Sequence, residues 1–323
     1  MAYDLDEKFL RGEPEKEATR AGFGNGLLTA GEQNENVVAL AADLKGSVGF
    51  GKFAERFPER FVEVGIAEQN LVTVASGMAH MGKIPFAGSF AAFSPGRNYE
   101  QIRTTIAINN QPVKILGSHA GLNVGEDGVT NQMLEDVAMM RAMPNMVVIS
   151  PGDAVEAAKV AIACANDSRP NYIRVMREPS PIFSTPESPF KIGKAYILRE
   201  GSDVSIFSTG TMTVQALQAA AELGKSGISA EIIHCPTIKP LDNETIMNSV
   251  RKTGHVITVE EHQIAGGFGS AVAELLSQNL PTKMRIIAVD NKFGQSGAAA
   301  ELLQHYGLTV GNIVEVAKEL VQN

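Results

Sequence analysis

The chain has 323 residues, of which 44% are hydrophobic and 20% charged, as expected for a globular protein with room for two ordinary domains. Its formal net charge of −8 argues against broad electrostatic binding to nucleic acid. The sequence has no apolar run of membrane-spanning length, no signal-peptide core and only two distant cysteines, so it predicts a cytoplasmic protein without a disulfide framework.

The first half of the chain alternates short apolar runs with segments of helical length. A polar and loose arm is expected over residues 1–16, and a helix from about Pro14 to Gly31, where proline suits a first turn. A further helix is expected at about 96–108. Apolar runs that predict strands cover residues 37–43, 61–64, 84–90, 113–119, 147–150 and 171–177. This alternation predicts parallel β-α-β units over residues 17–178.

A proline-rich segment then divides the chain. The stretch EPSPIFSTPESPF contains four prolines, which disfavour both a helix and a central strand, and we assign residues 179–193 to a linker. Residues 194–323 repeat the alternation, with strands expected at 204–210, 230–235, 256–261 and 285–290. The sequence therefore predicts the α/β class, with two doubly wound domains built on mostly parallel sheets.

The stretch FVEVGIAEQN combines the start of a buried strand with the start of a helix. It places Glu68 in the first helical turn, at the carboxyl end of the strand. In open α/β sheets, ligands bind at this edge. A carboxylate there either starts the helix, where the helix dipole favours it, or acts on a ligand. Position alone favours the first of these roles.

An ordered set of motifs resembles the carboxyl-terminal two-thirds of transketolase. In chain order the motifs are TR at 19–20, ADLKGS at 42–47, GIAEQN at 65–70, SFAAF at 89–93, SH at 118–119 and GEDG at 125–128. The later TVEEHQIAGGFGSA, at 258–271, is similar to the terminal domains of transketolase and of 1-deoxyxylulose-5-phosphate synthase. The resemblance implies a pyrimidine-binding domain followed by a transketolase C-terminal domain.

The resemblance implies thiamine diphosphate as cofactor. In the family, a glutamate hydrogen-bonded to the pyrimidine nitrogen N1′ favours the form in which the cofactor's own imino group can act as a base. Glu68 matches this glutamate, which needs a dry setting. Ile66, Phe90 and Phe93 resemble the pyrimidine pocket, although from the residues alone the phenylalanines indicate core packing. Asp43 matches an aspartate near the thiazolium, or forms a turn at a strand end.

The same resemblance implies a substrate site. Residues that match contacts to a sugar phosphate are Arg20, Ser47, His119 and Arg177. Arginine binds phosphate through charge-assisted, bidentate hydrogen bonds, although singly these residues could be surface charges and a strand-end histidine. Asp127 resembles an aspartate that binds a hydroxyl of the donor sugar.

Two residues depart from the common family sequence after GEDG. Val129 replaces a proline, and Asn131 replaces a histidine that faces the substrate. Asparagine can still form hydrogen bonds but cannot titrate near neutral pH. Activity is still expected, and the choice of substrate is left open.

The diphosphate-binding segment of the family, GDG with a downstream asparagine, has no match here. We therefore expect no metal ligand in this chain, and expect a partner subunit to hold the diphosphate with Mg²⁺ or Ca²⁺. The sequence thus predicts the C-terminal subunit of a heteromeric transketolase that moves a two-carbon ketol unit between sugar phosphates. The family further implies an N-terminal partner subunit, a dimer interface and a heterotetramer.

Three alternatives stay open. The chain could belong to another thiamine enzyme, namely a split 1-deoxyxylulose-5-phosphate synthase or the beta subunit of a 2-oxoacid dehydrogenase, which would not need the phosphate-binding set. It could be a non-catalytic assembly or regulatory protein that keeps the fold. It could also be a fragment of a longer enzyme, although its polar start with methionine argues against this.

Overall fold

The computed structural model describes residues 3–322 of the chain. Its strands, in chain order, are β1 (Lys16–Glu17), β2 (Val37–Ala41), β3 (Phe61–Glu63), β4 (Ile84–Phe90), β5 (Lys114–Ser118), β6 (Val147–Ile149), β7 (Asn171–Arg174), β8 (Ser180–Pro181), β9 (Tyr196–Arg199), β10 (Val204–Ser208), β11 (Ala230–His234), β12 (Thr237–Lys239), β13 (Val256–Gln263) and β14 (Met284–Val289).

The helices lie between these strands. They are α1 (Glu7–Leu10), α2 (Thr19–Gln33), α3 (Gly51–Arg56), α4 (Glu68–His80), α5 (Tyr99–Gln101), α6 (Asp136–Ala142), α7 (Ala154–Ala165), α8 (Thr213–Lys225), α9 (Asn243–Thr253), α10 (Phe268–Asn279), α11 (Ala299–His305) and α12 (Val310–Gln322). Short 3-10 turns cover Pro58–Arg60, Leu122–Asp127 and Gly210–Met212. Within residues 3–322, none of the helices is both long and apolar enough to cross a membrane.

Within the described residues, the larger sheet has seven strands in the order β12-β6-β7-β5-β4-β2-β3. All neighbouring pairs are parallel except β12 with β6, which run antiparallel. Strands β2, β5, β6 and β7 are buried along their whole length, as expected where both faces of a parallel sheet are covered. Strand β3 is less buried than expected, because it lies at the edge of the sheet.

In the same part of the chain, the smaller sheet has five strands in the order β14-β13-β10-β11-β9. Its only antiparallel pair is β9 with β11. The predicted α/β class, with two doubly wound and mostly parallel sheets, is confirmed. Strands β9 and β12 were not expected from the sequence. Both are short antiparallel edge strands, and β12 follows the proline-rich segment in the chain yet joins the larger sheet.

Residues 3–17 are packed against the rest of the chain, whereas a loose arm was expected over residues 1–16; residues 1 and 2 lie outside the described residues. Asp6 caps α1 by accepting a hydrogen bond from the backbone N–H of Phe9 at 2.9 Å. Its own N–H donates to the carbonyl oxygen of Phe183 at 2.8 Å. Strand β1 pairs with β8. Because this pairing holds residues 16–17 extended, the first long helix begins at Thr19 and not near Pro14.

The helix expected at about 96–108 is interrupted. Residues Ile102–Ala107 adopt the wider π-helical form after the short α5. The hydroxyl of Thr104 donates to the carbonyl oxygen of Glu100 at 3.0 Å, and that of Thr105 donates to Gln101 at 2.7 Å. Hydroxyl groups that bond to the preceding turn compete with the backbone N–H groups of an α-helix and bend it.

Helices α2 and α7 pack with their backbones in close contact. A Cβ atom on Gly26 would lie 2.2 Å from the carbonyl oxygen of Ala158. We therefore expect Gly26→Ala to lower the free energy of unfolding by about 1–3 kcal/mol, because overpacking strains the backbone. Urea unfolding measures the change. The matched control is Gly77→Ala in α4, where a Cβ meets nothing within 4 Å. Its higher helix propensity should stabilise the chain by about 0.5–1 kcal/mol, and equal effects of both changes would contradict this account.

Candidate functional site

The candidate residues lie where strands of the larger sheet end. Because parallel strands bring their carboxyl ends to one edge, residues distant in sequence converge there. Asp43 and Ser47 follow β2, and the remaining candidates that end or follow a strand are Glu68 after β3, Phe90 at the end of β4, His119 after β5 and Arg177 after β7.

Glu68 is the first residue of α4, and its side chain is only 5% exposed. Nη1 of Arg97 donates to both carboxylate oxygens, at 3.2 Å each. The guanidinium carbon of Arg97 lies 4.2 Å from the centroid of the Phe93 ring. Asn98 fixes the backbone through a 2.8 Å hydrogen bond from its side-chain nitrogen to the carbonyl oxygen of Glu68. The Glu68 carboxylate is therefore shielded from water, and the positive charge of Arg97 balances its negative charge. Arg97 in turn lies over the face of the Phe93 ring.

Three rings form a continuous stack beside this carboxylate. The ring centroids of Phe90 and Phe93 lie 5.6 Å apart, and those of Phe90 and His119 lie 3.8 Å apart. The phenylalanines are half-buried, so their faces are only partly committed to core packing. A carboxylate next to a partly open aromatic stack suits an aminopyrimidine, which needs both a flat apolar contact and a hydrogen-bond acceptor.

Two other residues of the expected cofactor pocket are open to solvent. The Ile66 side chain is 73% exposed, and Asp43 is also exposed. Asp43 has the unusual φ of 59°, and its N–H donates to the carboxylate of Glu63 at 2.7 Å. Aspartate tolerates this left-handed conformation, which fits its expected turn role as well. This chain thus forms one side of the expected cofactor pocket, and the side bordered by Ile66 and Asp43 is open to solvent.

The expected phosphate-binding residues come together. Arg20 donates from Nη1 to the carbonyl oxygen of Ser47 at 2.8 Å and from Nε to that of Arg177 at 3.3 Å. Nη1 of Arg177 donates to the carbonyl oxygen of Val124 at 2.7 Å and lies 3.5 Å from Oδ1 of Asp127. No carboxylate among residues 3–322 forms an ion pair with Arg20. Arg177 also lies 3.5 Å from the carboxylate of Glu178, so Arg20 is the guanidinium group of the two that favours binding of an oxyanion most strongly.

The loop that carries the GEDG motif closes this cluster. It contains two short 3-10 turns within Leu122–Asp127, joined by a kink at Gly125, whose φ of 76° is not helical. Asp127 is exposed and Asn131 half-buried, and the Asn131 N–H donates to the carbonyl oxygen of Gly128 at 3.1 Å. Val129 is 44% exposed. The structure therefore places the two candidate donor-binding residues at opposite ends of one tight turn.

His119 should not titrate near neutral pH. Burial, together with the nearby charges of Arg20 and Arg177, lowers the pKa of its imidazole to about 3. NMR of the isolated chain, with His119→Gln used to assign the signal, should show no ring titration from about pH 5 to 8. In the urea-unfolded chain the same ring should titrate at about 6.5. A folded-state midpoint inside that window would contradict this account of the site.

Sequence reasoning missed Arg97, which is the charged partner of Glu68. Its one local signal is a cation four residues after Phe93, in the segment SFAAFSPGR. The pairing itself joins residues 29 positions apart and depends on the tertiary fold. Among residues 3–322, no group of three or more His, Cys, Asp or Glu side chains could hold a metal ion.

Two family models match consecutive parts of the chain. The transketolase pyrimidine binding domain matches residues 15–181, and the transketolase C-terminal domain matches residues 193–313. A solved structure of a split gene transketolase, in an inactive beta4 tetramer, has a TM-score of 0.89 and 42% identity, covering 94% of this chain and 98% of that one. The fold and both domains thus have counterparts in one family.

Relatives of similar length point to the same family. A putative transketolase C-terminal section from Methanocaldococcus jannaschii is 46% identical over 292 residues, which cover 90% of this chain and 92% of the relative. A 6-deoxy-6-sulfo-D-fructose transketolase subunit from a Clostridium species is 39% identical and covers 92% of both chains. An apulose-4-phosphate transketolase subunit from Phocaeicola vulgatus is 37% identical, covering 94% of this chain and 98% of the relative.

Proposed function

This chain belongs to the transketolase family, as a C-terminal section of the split kind, and we propose that it transfers a two-carbon ketol unit between sugar phosphates when joined to a partner subunit. The observation that carries the proposal is the continuity of the site. Three groups follow one another along a single sheet edge: the desolvated Glu68, the stack of Phe93, Phe90 and His119, and the anion cluster, defined as Arg20, Ser47 and Arg177.

The residues of this chain fit the pyrimidine of thiamine diphosphate. When bound, this cofactor supplies the nucleophilic carbon that the reaction needs. Phe90 and Phe93 offer a flat apolar contact, Ile66 and Asp43 border the open side, and Glu68 would hold a proton shared with the ring nitrogen N1′. The dry setting strengthens that hydrogen bond. Arg97 bonds the same carboxylate oxygens and therefore competes with the ring for them.

The rest of the cofactor site would come from the partner. The chain lacks the GDG segment by which the family binds the diphosphate, so the proposed N-terminal subunit carries the diphosphate and its Mg²⁺ or Ca²⁺. The beta4 tetramer of the structural relative is described as inactive, which supports a requirement for a second kind of chain. We propose a heterotetramer with a dimer interface, and an active site shared between subunits.

The substrate residues would act in two groups. Arg20, Arg177, Ser47 and the neutral His119 would bind the phosphate of the sugar, with the arginines supplying the charge. Asp127 and Asn131 would bind donor hydroxyl groups. Two relatives are named for a sulfo sugar and for a sugar phosphate, which supports an anionic sugar in this branch of the family. A 2-oxoacid dehydrogenase acts on a lipoyl carrier and would not need a phosphate-binding set, so the convergence of Arg20 and Arg177 disfavours that alternative.

Reconstitution with a partner tests the proposal. The chain is captured from its source, the co-purifying chain is identified, and the pair is assayed with a ketose phosphate donor and an aldose phosphate acceptor. We expect transfer by the pair and none by either chain alone. Turnover with pyruvate in place of the ketose would favour the other thiamine enzymes. A pair that binds no thiamine diphosphate would leave a non-catalytic assembly role.

A further inference from the structure

The structure assigns a role to the C-terminal domain: we infer that it positions the substrate loop, defined as residues 119–132, and that Glu261 is the positioning residue. The inference rests on the proposed function in one respect, since that function makes this loop the holder of donor-binding groups. The contacts themselves do not depend on which sugar is bound.

Glu261 reaches the loop from the end of β13. Its side chain is buried, and Oε1 accepts a 2.7 Å hydrogen bond from the backbone N–H of Asn123. The approach is so close that a Cβ atom on Gly121 would lie 2.3 Å from the same oxygen. Gly121 also has a φ of 74°, which glycine adopts at no steric cost. The loop is thus shaped to receive this one carboxylate.

A second contact fixes the far end of the loop. The side-chain nitrogen of Gln132 donates to the carbonyl oxygens of Gly125 at 3.1 Å and of Gln295 at 3.0 Å. Gln295 lies in the C-terminal domain, between β14 and α11. A Cβ on Gly128 would lie 2.4 Å from Oγ of the neighbouring Ser296. The C-terminal domain therefore contacts the loop on both sides of the GEDG motif.

The substrate loop is hydrogen-bonded to Arg177, so the position of the loop affects the anion cluster. The carbonyl oxygen of Val124, next to the residue held by Glu261, accepts the 2.7 Å hydrogen bond from Arg177. The side-chain oxygen of Asn123 accepts from the backbone N–H of Glu178 at 2.8 Å. Arg177 in turn lies 3.5 Å from Asp127. A shift at Asn123 would therefore move the Arg177 guanidinium and the Asp127 carboxylate, the two groups proposed to bind the donor.

The backbone of Glu261 is itself held by Arg174, a residue of the pyrimidine-binding domain. The buried Arg174 donates from Nη2 to the carbonyl oxygen of Glu261 at 2.8 Å and from Nε to Oδ2 of Asp136 at 2.9 Å. Its Nη2 also lies 3.3 Å from the carbonyl oxygen of Met133, just after the loop. Arg174 thus fixes the backbone from which the Glu261 carboxylate reaches the loop.

The test compares Glu261→Leu with Glu261→Gln, which keeps an oxygen that can accept the Asn123 hydrogen bond. Glu261→Leu leaves the buried backbone N–H of Asn123 without a partner, so hydrogen exchange of that backbone amide should be about 5- to 100-fold faster. Glu261→Gln should restore slow exchange. In the reconstituted enzyme, Glu261→Leu should raise KM for the donor more than it lowers kcat.

The matched control is Glu274→Leu. Glu274 also joins the two domains, through a 2.5 Å ion pair with Arg141, but it does not touch the loop. It should leave Asn123 exchange and KM unchanged. Should Glu261→Leu fail to fold, Gln132→Met removes the second contact and should speed exchange in the same loop. Unchanged exchange in the folded variant would overturn the inference. Faster exchange in a pair that transfers no ketol unit would overturn the proposed function alone.

Discussion

Replacing Glu68 with glutamine should reduce ketol transfer by the reconstituted enzyme about 10²- to 10³-fold, the usual loss when one preorganised polar group is removed from an active site. An amide cannot accept and share the proton that a carboxylate holds at the pyrimidine nitrogen. The change keeps the size of a side chain that is 5% exposed, so no cavity forms. Measurement of kcat at saturating cofactor and substrate gives the size of the effect.

The urea midpoint of Glu68→Gln shows whether the lost activity reflects lost catalysis or lost folding. Arg97, the partner of Glu68, is 52% exposed, so water can solvate its charge when the carboxylate is removed. We expect the urea midpoint of Glu68→Gln to stay close to that of the original chain. Glu100→Gln, on the exposed surface nearby, is the matched control and should leave kcat unchanged. Near-normal turnover by folded Glu68→Gln would show that Glu68 does not act on the cofactor.

Replacing Arg20 with methionine should raise KM for a phosphorylated donor about 10- to 100-fold, because a charge-assisted hydrogen bond contributes about 1.5–3 kcal/mol. The guanidinium of Arg20 has no ion pair within the described residues, and it lies beside a second guanidinium. An arriving dianion would relieve that repulsion. Initial rates over a range of donor concentrations measure the effect, with Arg56→Met on the exposed surface as control.

An assay with the same ketose lacking its phosphate shows whether Arg20→Met loses phosphate binding or disturbs the local fold. Arg20 also holds two backbone carbonyl groups, so its loss could disturb the loop around Ser47. If Arg20 acts on the phosphate, Arg20→Met should hardly change the already weak use of the unphosphorylated ketose. Equal losses with both sugars would instead indicate that Arg20 only supports the loop.

The fold class could be predicted because it depends on a repeated local pattern. Apolar runs separated by helices indicate parallel units wherever they occur. The edge strands β9 and β12 could not be predicted, since each is short and gains its conformation from a partner strand distant in sequence. The start of α2 was predicted too early for a related reason. The pairing of β1 with β8 overrides the helix signal of Pro14.

The family resemblance predicts which residues form the cofactor pocket and which bind phosphate, but not the contacts between them. The order of motifs gives Glu68, Phe90 and His119, but no local signal reports that Glu68 is buried or that Arg97 neutralises it. The ring stack depends on the distance between β4 and β5, and the hold of Glu261 on Asn123 spans 138 positions. Such contacts arise from packing, which the sequence does not display locally.

The placement of β12 has a consequence for evolution by domain exchange. The proposed linker at residues 179–193 divides the chain, but β12 lies after it and completes the larger sheet beside β6. A recombinant that joined the first half of this chain to the C-terminal domain of another protein would import a foreign edge strand. Without a matching strand, β6 would expose unpaired backbone groups that can template aggregation. The two domains are therefore inherited most easily as one module.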